Sequence, residues 1–280
     1  MAATDTYGLY NAGMATAGNF SGQSTGAGIL RSGGNGSYNY SVIGSSGNLP
    51  VTFVSWFDAA RFTNWLCNGQ QVGAQDNTTT ETGAYTLNGA MSGLNFTKNG
   101  NATFWIPSED EWYKAAYYDP NKGGLGVGGY WLYPTKSNTA PGNVVGSSPN
   151  QANFRYSSGG TQLSDYIFSV TQSAALVSTQ NYLTDVGAFS GSASPYGTYD
   201  QGAVVRVWSD TVVSGAIRER GTTWQDLGDH YMQASVSVGD GPTNEESHIG
   251  FRIATVPEPT SAALLGLGTL LLAARRRRRV

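Results

Sequence analysis

Ahead of its last 26 residues this chain confines helix-forming pattern to two short stretches, each introduced by a capping serine, and glycine interrupts almost everything else. The first stretch follows Leu49-Pro50-Val51-Thr52-Phe53-Val54, an apolar, β-branched segment that predicts a strand feeding a helix. Ser55 is the expected N-cap, with Asp58 three residues on. Trp56, Ala59, Ala60 and Thr63 fall at helical spacing, Leu66 and Cys67 continue the stripe, and Asn68-Gly69 ends it. The second stretch follows Phe104-Trp105-Ile106-Pro107. Ser108 and Glu111 form an S-x-x-E capping box, Trp112, Ala115 and Ala116 make the apolar face, and Asp119-Pro120 stops the helix. Glu109, Asp110 and Glu111 crowd its first turn, where carboxylates favour the helix dipole. That accounts for them without a catalytic carboxylate pair.

Elsewhere the chain is built for short strands and long loops. It holds 38 glycines in 280 residues, well above the usual share of about 7%. Ile29-Leu30-Arg31 and the segment from Ser37 to Val42 predict short strands around a Gly33-Gly34-Asn35-Gly36 turn. No helix is expected over 123–202, where turns separate aromatic pieces such as Tyr130-Trp131-Leu132-Tyr133. A last strand pair is expected at 204–208 and 250–253. Hydrophobic residues make up 39% of the chain, with 7 Trp, 16 Tyr and 10 Phe, so a core can form in spite of the glycine.

The C-terminus differs from all that precedes it. Val256-Pro257-Glu258-Pro259 is stiff and extended because proline fixes its own φ and disfavours helix before it. Residues 262–274 carry no charge. As a helix they span roughly 20 Å, short of the roughly 30 Å hydrocarbon core of a bilayer. Arg275, Arg276, Arg277, Arg278 and Arg279 follow, and positive charge after an apolar stretch holds that end on the cytoplasmic side. An ordinary anchor helix is one reading. The order Pro-Glu-Pro, apolar helix and arginine cluster also closely resembles the PEP-CTERM sorting tail of bacterial exported proteins. That resemblance implies an exosortase-type membrane processing enzyme as partner, a membrane contact through the tail, and a final place in the bacterial cell envelope or surface. An exported chain needs a leader, and Met1-Ala2-Ala3-Thr4-Asp5-Thr6 has neither a basic nor an apolar region of that kind. Either export takes another route, or the true N-terminus and its secretion signal lie upstream, which is the expectation here.

The five arginines are a large part of the 16 basic residues, which face 19 acidic ones. The body is therefore acidic, without the clustered Lys and Arg that nucleic-acid binding requires. The single cysteine, Cys67, lies on the first helical stripe and is expected to be a small core residue. His230 and His248 are the only histidines, and both are expected at the surface.

Four separated segments fall in the order of one family. Pro50-Val51-x-x-Val54-Ser55-Trp56-x-Asp58-Ala59 with Asn64-Trp65-Leu66, then Trp105-Ile106-Pro107-Ser108-Glu109-x-Glu111-Trp112-x-x-Ala115-Ala116, then Ser194-Pro195-Tyr196-Gly197-Thr198-Tyr199-Asp200, and finally Ile249-Gly250-Phe251-Arg252-Ile253-Ala254 resemble the formylglycine-generating (sulfatase-modifying factor) domain. The resemblance is clearest over 49–254. It implies an α+β, loop-rich, C-type-lectin-like fold of the formylglycine-generating enzyme type, occupying 1–254 and N-terminally truncated. Residues 255–280 then form the tail, with its short C-terminal apolar helix.

The departures bear on function. The family's oxidases bind copper through two cysteines shortly before the terminal G-F-R. No cysteine lies between Gly221 and Gly250 here, and Cu(I) needs soft ligands, so copper is not expected. The family's G-N-V-W-E-W strand reads Ala203-Val204-Val205-Arg206-Val207-Trp208, and Val207 replaces a calcium-binding glutamate. Asp200 retains one carboxylate at that site. A second calcium site of the family maps loosely onto Asn153 and the Phe154 carbonyl. The R-G-G-S-W segment survives as Arg220-Gly221-Thr222-Thr223-Trp224. The resulting expectation is a surface protein with a non-catalytic domain, binding a glycan or envelope component or serving structurally. The alternative is a formylglycine-generating oxidase. A histidine and carboxylate iron site is a third, with no H-x-x-x-E-x-H spacing to carry it.

Overall fold

The computed structural model describes residues 3–15, 26–157 and 159–256. Pro257, Glu258, Pro259, the five arginines and the expected tail helix lie outside the described residues. In chain order the elements are β1 Ile29–Ser32, β2 Asn39–Val42, α1 Trp56–Cys67, β3 Phe104–Trp105, α2 Glu109–Tyr117, β4 Tyr118–Asp119, β5 Gly129–Tyr130, β6 Arg206–Val213, β7 Ala216–Arg220, β8 Val238–Asp240, β9 Ile249–Phe251 and β10 Ala254–Thr255. The principal sheet runs β8-β7-β6-β9, and β1-β2, β3-β10 and β4-β5 are two-stranded ribbons. The fold is α+β, with long loops between few elements.

Both helices begin at the expected serines. Ser55 accepts from the Asp58 N–H at 3.2 Å, and Asp58 Oδ2 accepts from the Ser55 N–H at 2.8 Å. Ser108 and Glu111 repeat this exchange at the head of α2. Glu109 does more than favour the dipole: its Oε1 takes the Arg220 guanidinium at 2.5 Å, fastening α2 to β7. Cys67 ends α1 half-buried, donating to the Phe104 carbonyl at 3.2 Å and accepting the Phe104 N–H at 3.4 Å.

The expected strand at 49–54 does not form. Phe53 takes a left-handed φ of 58°, which interrupts a ladder. Its N–H goes to the Glu246 carbonyl at 2.9 Å, and the Val54 carbonyl accepts the Trp208 indole. The segment is pressed onto β9, where a Cβ at Gly250 would lie 2.7 Å from the Val51 carbonyl oxygen. Only glycine permits that approach.

The expected last pair is present: β6 and β9 run parallel, with Arg206 opposite Ile249 and Trp208 opposite Phe251. Alternation along β6 divides the interior. Trp208 packs with Trp56, Ala59, Ala60, Tyr85 and Ile217 beneath α1. Val205 and Val207 pack with Trp112, Ala116, Tyr117 and Trp224 beneath α2. Each large side chain buried this way contributes about 1.5–3 kcal/mol before ordering costs.

Candidate functional site

Helix α1 turns two sides inward. One packs on the sheet. The other carries Asp58, Arg61, Phe62 and Trp65, at i, i+3, i+4 and i+7, and forms a wall of a cavity of about 450 Å³. The facing wall comes from Leu9, Tyr10 and Met14, from Ile29 and Tyr40 of the β1-β2 ribbon, and from Val51, Val54 and Phe251. Ring pairs define its rim: Phe62 meets Phe251 edge-on at 5.4 Å, and Tyr10 meets Tyr40 at 5.7 Å. Phe62 is 39% exposed although it sits on the buried face of a helix. The volume lies in the range of small-molecule sites, roughly 300–1,000 Å³.

Three ionisable residues on the wall differ in how they are satisfied. Arg61 is 1% exposed and Glu81 2%. Their two N–H···O contacts of 2.8 and 3.1 Å are joined by Arg61 Nη2 to the Ala90 carbonyl at 2.9 Å, and the guanidinium lies over Tyr7. Asp5 pairs with Arg31 at 2.9 Å and accepts the Leu9 and Tyr10 N–H groups. Asp58 uses only Oδ2, which takes the Ser55 N–H and hydroxyl. Among the described residues its other oxygen has no hydrogen-bond partner. Burial pushes the Asp58 carboxyl up to about 7, against the pull of the Ser55 bonds and with Glu245 adding to the rise. No cysteine or histidine is among the described residues lining the cavity. This arrangement can hold an apolar body against aromatic faces and meet it with one carboxylate.

Sequence patterning missed this site because a single stripe satisfied the helical period. The signal was available in Asp58, Arg61, Phe62 and Trp65, whose spacing gives α1 a second inward face.

The residues singled out for calcium sit elsewhere. Asn153 is buried and directs its amide to the Tyr182 carbonyl at 3.0 Å and to Thr184 at 3.2 Å. The Phe154 carbonyl already accepts from Asn143 and Ser169. Asp200 has a φ of 56° and accepts the Gly187 N–H at 2.6 Å. Burial raises its pKa. Arg252 donates to the Tyr199 carbonyl at 2.7 Å, so the terminal G-F-R segment is tied to the Tyr199-Asp200 lead-in. Val207 lies in the α2 core.

His230 is exposed, as expected. His248 is not: its side chain is 14% exposed. The parallel pairing of β6 and β9 draws the residue before β9 inward, with the His248 carbonyl accepting from the Arg206 N–H at 2.8 Å. Its ring faces Gln225 at 3.3 Å and Glu246 at 3.1 Å. Arg206 pairs with Asp226 at 3.1 Å beside them. Among the described residues, no group of three or more His, Cys, Asp or Glu side chains is placed to hold a metal ion.

Comparison with known proteins places these features in a family setting. The family model described as sulfatase-modifying factor enzyme 1-like domain matches residues 30–256. The PEP-CTERM protein-sorting motif matches residues 255–279. No curated protein matches the chain. Three solved structures are similar to it. CarF is 21% identical with a TM-score of 0.44, over 76% of this chain and 70% of that one. Treponema denticola variable protein 1 is 18% identical with a TM-score of 0.44, over 76% and 73%. PvdO from Pseudomonas aeruginosa is 15% identical with a TM-score of 0.38, over 82% and 69%.

Proposed function

We propose that this chain, which belongs to the sulfatase-modifying factor enzyme 1-like family, is an exported cell-surface protein whose family domain binds a ligand and performs no oxidation. The sorting motif implies export to the envelope and processing by exosortase, with the C-terminus held in the membrane until then. The body to residue 254 is the binding domain, on a loop-rich C-type-lectin-like scaffold, and the tail from 255 delivers it.

The observation that carries this reading is the position of the only thiol. Cys67 is bonded to the backbone of β3, and the chain has no second cysteine to share a soft metal with it. The cavity beside α1 meanwhile has aromatic walls and, in Asp58, a carboxylate with no ion pair among the described residues, a lining suited to recognition. Its natural occupant is an envelope component or a glycan carrying an apolar group.

Two measurements test the proposal. Titration of the purified full-length protein against envelope extracts and glycans, followed by tryptophan fluorescence, should show saturable binding; none leaves only a structural role. Oxygen uptake with copper and a cysteine-containing sulfatase peptide should stay at background. Turnover in that assay would establish the oxidase, the reading that family membership otherwise favours.

A further inference from the structure

We infer that the cavity beside α1 takes an organic cation with an apolar body, an ammonium group on a hydrocarbon or aromatic frame. The inference rests on the cavity being the binding site proposed above. It follows from the charges that remain once the ion pairs among the described residues are assigned.

Arg61 is ion-paired with Glu81 through Nε and Nη2, and Nη2 also reaches the Ala90 carbonyl. Asp5 is neutralised by Arg31 and holds two backbone N–H groups. Glu245, whose charge acts on Asp58, accepts from Asn11 at 2.6 Å. Among the described lining residues, Asp58 alone is left without an ion pair. It is 8% exposed, borders the cavity, and offers an oxygen with no hydrogen-bond partner among the described residues. That carboxylate forms no ion pair among the described residues; burial is the largest influence on it, and the nearby Arg61 charge offsets only part of that.

The rest of the wall selects the ligand's form. An anion would meet Asp58 and Asp5, with Arg61 and Arg31 already ion-paired. A neutral polar ligand would find few polar atoms, because the lining is mostly aliphatic and aromatic. A cation finds the free carboxylate oxygen among the lining rings of Phe62, Trp65 and Phe251, aromatic groups that attract positive charge through their quadrupoles, as Tyr10 already does for Arg31. Its hydrocarbon frame meanwhile leaves water.

The test uses full-length protein and three probes of similar shape: 2-phenylethylamine, 2-phenylethanol and 3-phenylpropionate, with binding followed by Trp fluorescence and NMR. At pH 8 the amine should bind about ten-fold more tightly than the alcohol or better, and the carboxylate should not bind. Lowering the pH from 8 to 5 should weaken the amine as Asp58 gains its proton, and leave the alcohol unchanged. Asp58→Asn should abolish the preference for the amine while retaining the alcohol. The pH series on the unaltered protein gives the same answer should that variant fold poorly. Equal affinity for amine and alcohol at pH 8 would overturn the cationic class and leave the cavity as a binding site. Tightest binding by the carboxylate would overturn the charge argument. Failure of all three probes would overturn both this inference and the cavity's part in the proposed function.

Discussion

Trp56 and Trp208 tie α1 to the sheet by donating in opposite directions across one junction. The Trp56 indole reaches the Ser209 carbonyl at 3.0 Å, and the Trp208 indole reaches the Val54 carbonyl at 2.9 Å. Each bond fixes the partner's own chain neighbour, so the entry to α1 and the middle of β6 cannot move apart without breaking both. The two rings also fill the core they define. Trp208→Phe removes one bond, leaves the Val54 carbonyl without its donor, and opens space under α1. It should cost about 3 kcal/mol, read as a lower urea midpoint with an unchanged slope.

The Arg61 and Glu81 pair lies beneath the cavity and is almost fully removed from water. Glu81 also accepts from Thr80 and from the Gly89 N–H, so the pair organises the loop that closes over α1. Arg61→Met keeps much of the volume and strands the carboxylate. The expected loss is about 3–5 kcal/mol. The double variant Arg61→Met with Glu81→Leu should recover most of it. A single variant as stable as the parent would show that the pair lies open to solvent.

Gly250 is required by proximity, since a methyl group there would enter the Val51 carbonyl and lie 3.1 Å from Val205. Gly250→Ala should separate the 49–54 segment from β9 and cost about 1–3 kcal/mol. Because Val51 and Phe251 line the cavity, the same change should weaken ligand binding. Thermal unfolding and a binding titration on one sample check both effects.

How far the sequence discloses this fold depends on whether a feature is local. Both helices were legible, since their caps and periods are written within a dozen residues. The β1-β2 ribbon was legible from its glycine turn. The 49–54 segment misled, because its strand propensity is overridden by contacts with Glu246, Trp208 and Gly250, the least distant of them 154 residues away. Strands β7 and β8 were missed for another reason. Glu219 and Arg220 point into the protein, so charges stand where an inward pattern should be apolar. The remaining cue was Ser214-Gly215, whose φ angles of 54° and 81° make the tight turn of the β6-β7 hairpin. Of the candidate site, α1 supplied a readable wall. The wall built by residues 9–14, the first ribbon and β9 exists only after long-range packing.

The least expected residue in the sheet is Glu219. It is 1% exposed, and among the described residues its Oε1 is buried without a partner. Burial, with Asp240 and Glu246 nearby and only Arg206 opposing, pushes its carboxyl from the ordinary 4.5 up to about 8. The folded state therefore holds a proton that the unfolded chain releases above about 4.5. The stability this proton provides is complete below pH 4.5 and is lost as pH rises towards 8. His248 acts in the opposite direction: burial lowers its pKa, so its share is lost as pH falls below the ordinary 6.5. Subtracting a variant that changes only Glu219 separates the two. Glu219→Gln fixes the neutral form. Its stability relative to the parent should rise between pH 5 and pH 8 by on the order of 2–4 kcal/mol, whatever constant offset the amide introduces. Urea unfolding at half-unit pH steps measures this slope. A flat difference would mean that Glu219 ionises in the folded protein as it does in water, and that a cation or solvent reaches it there.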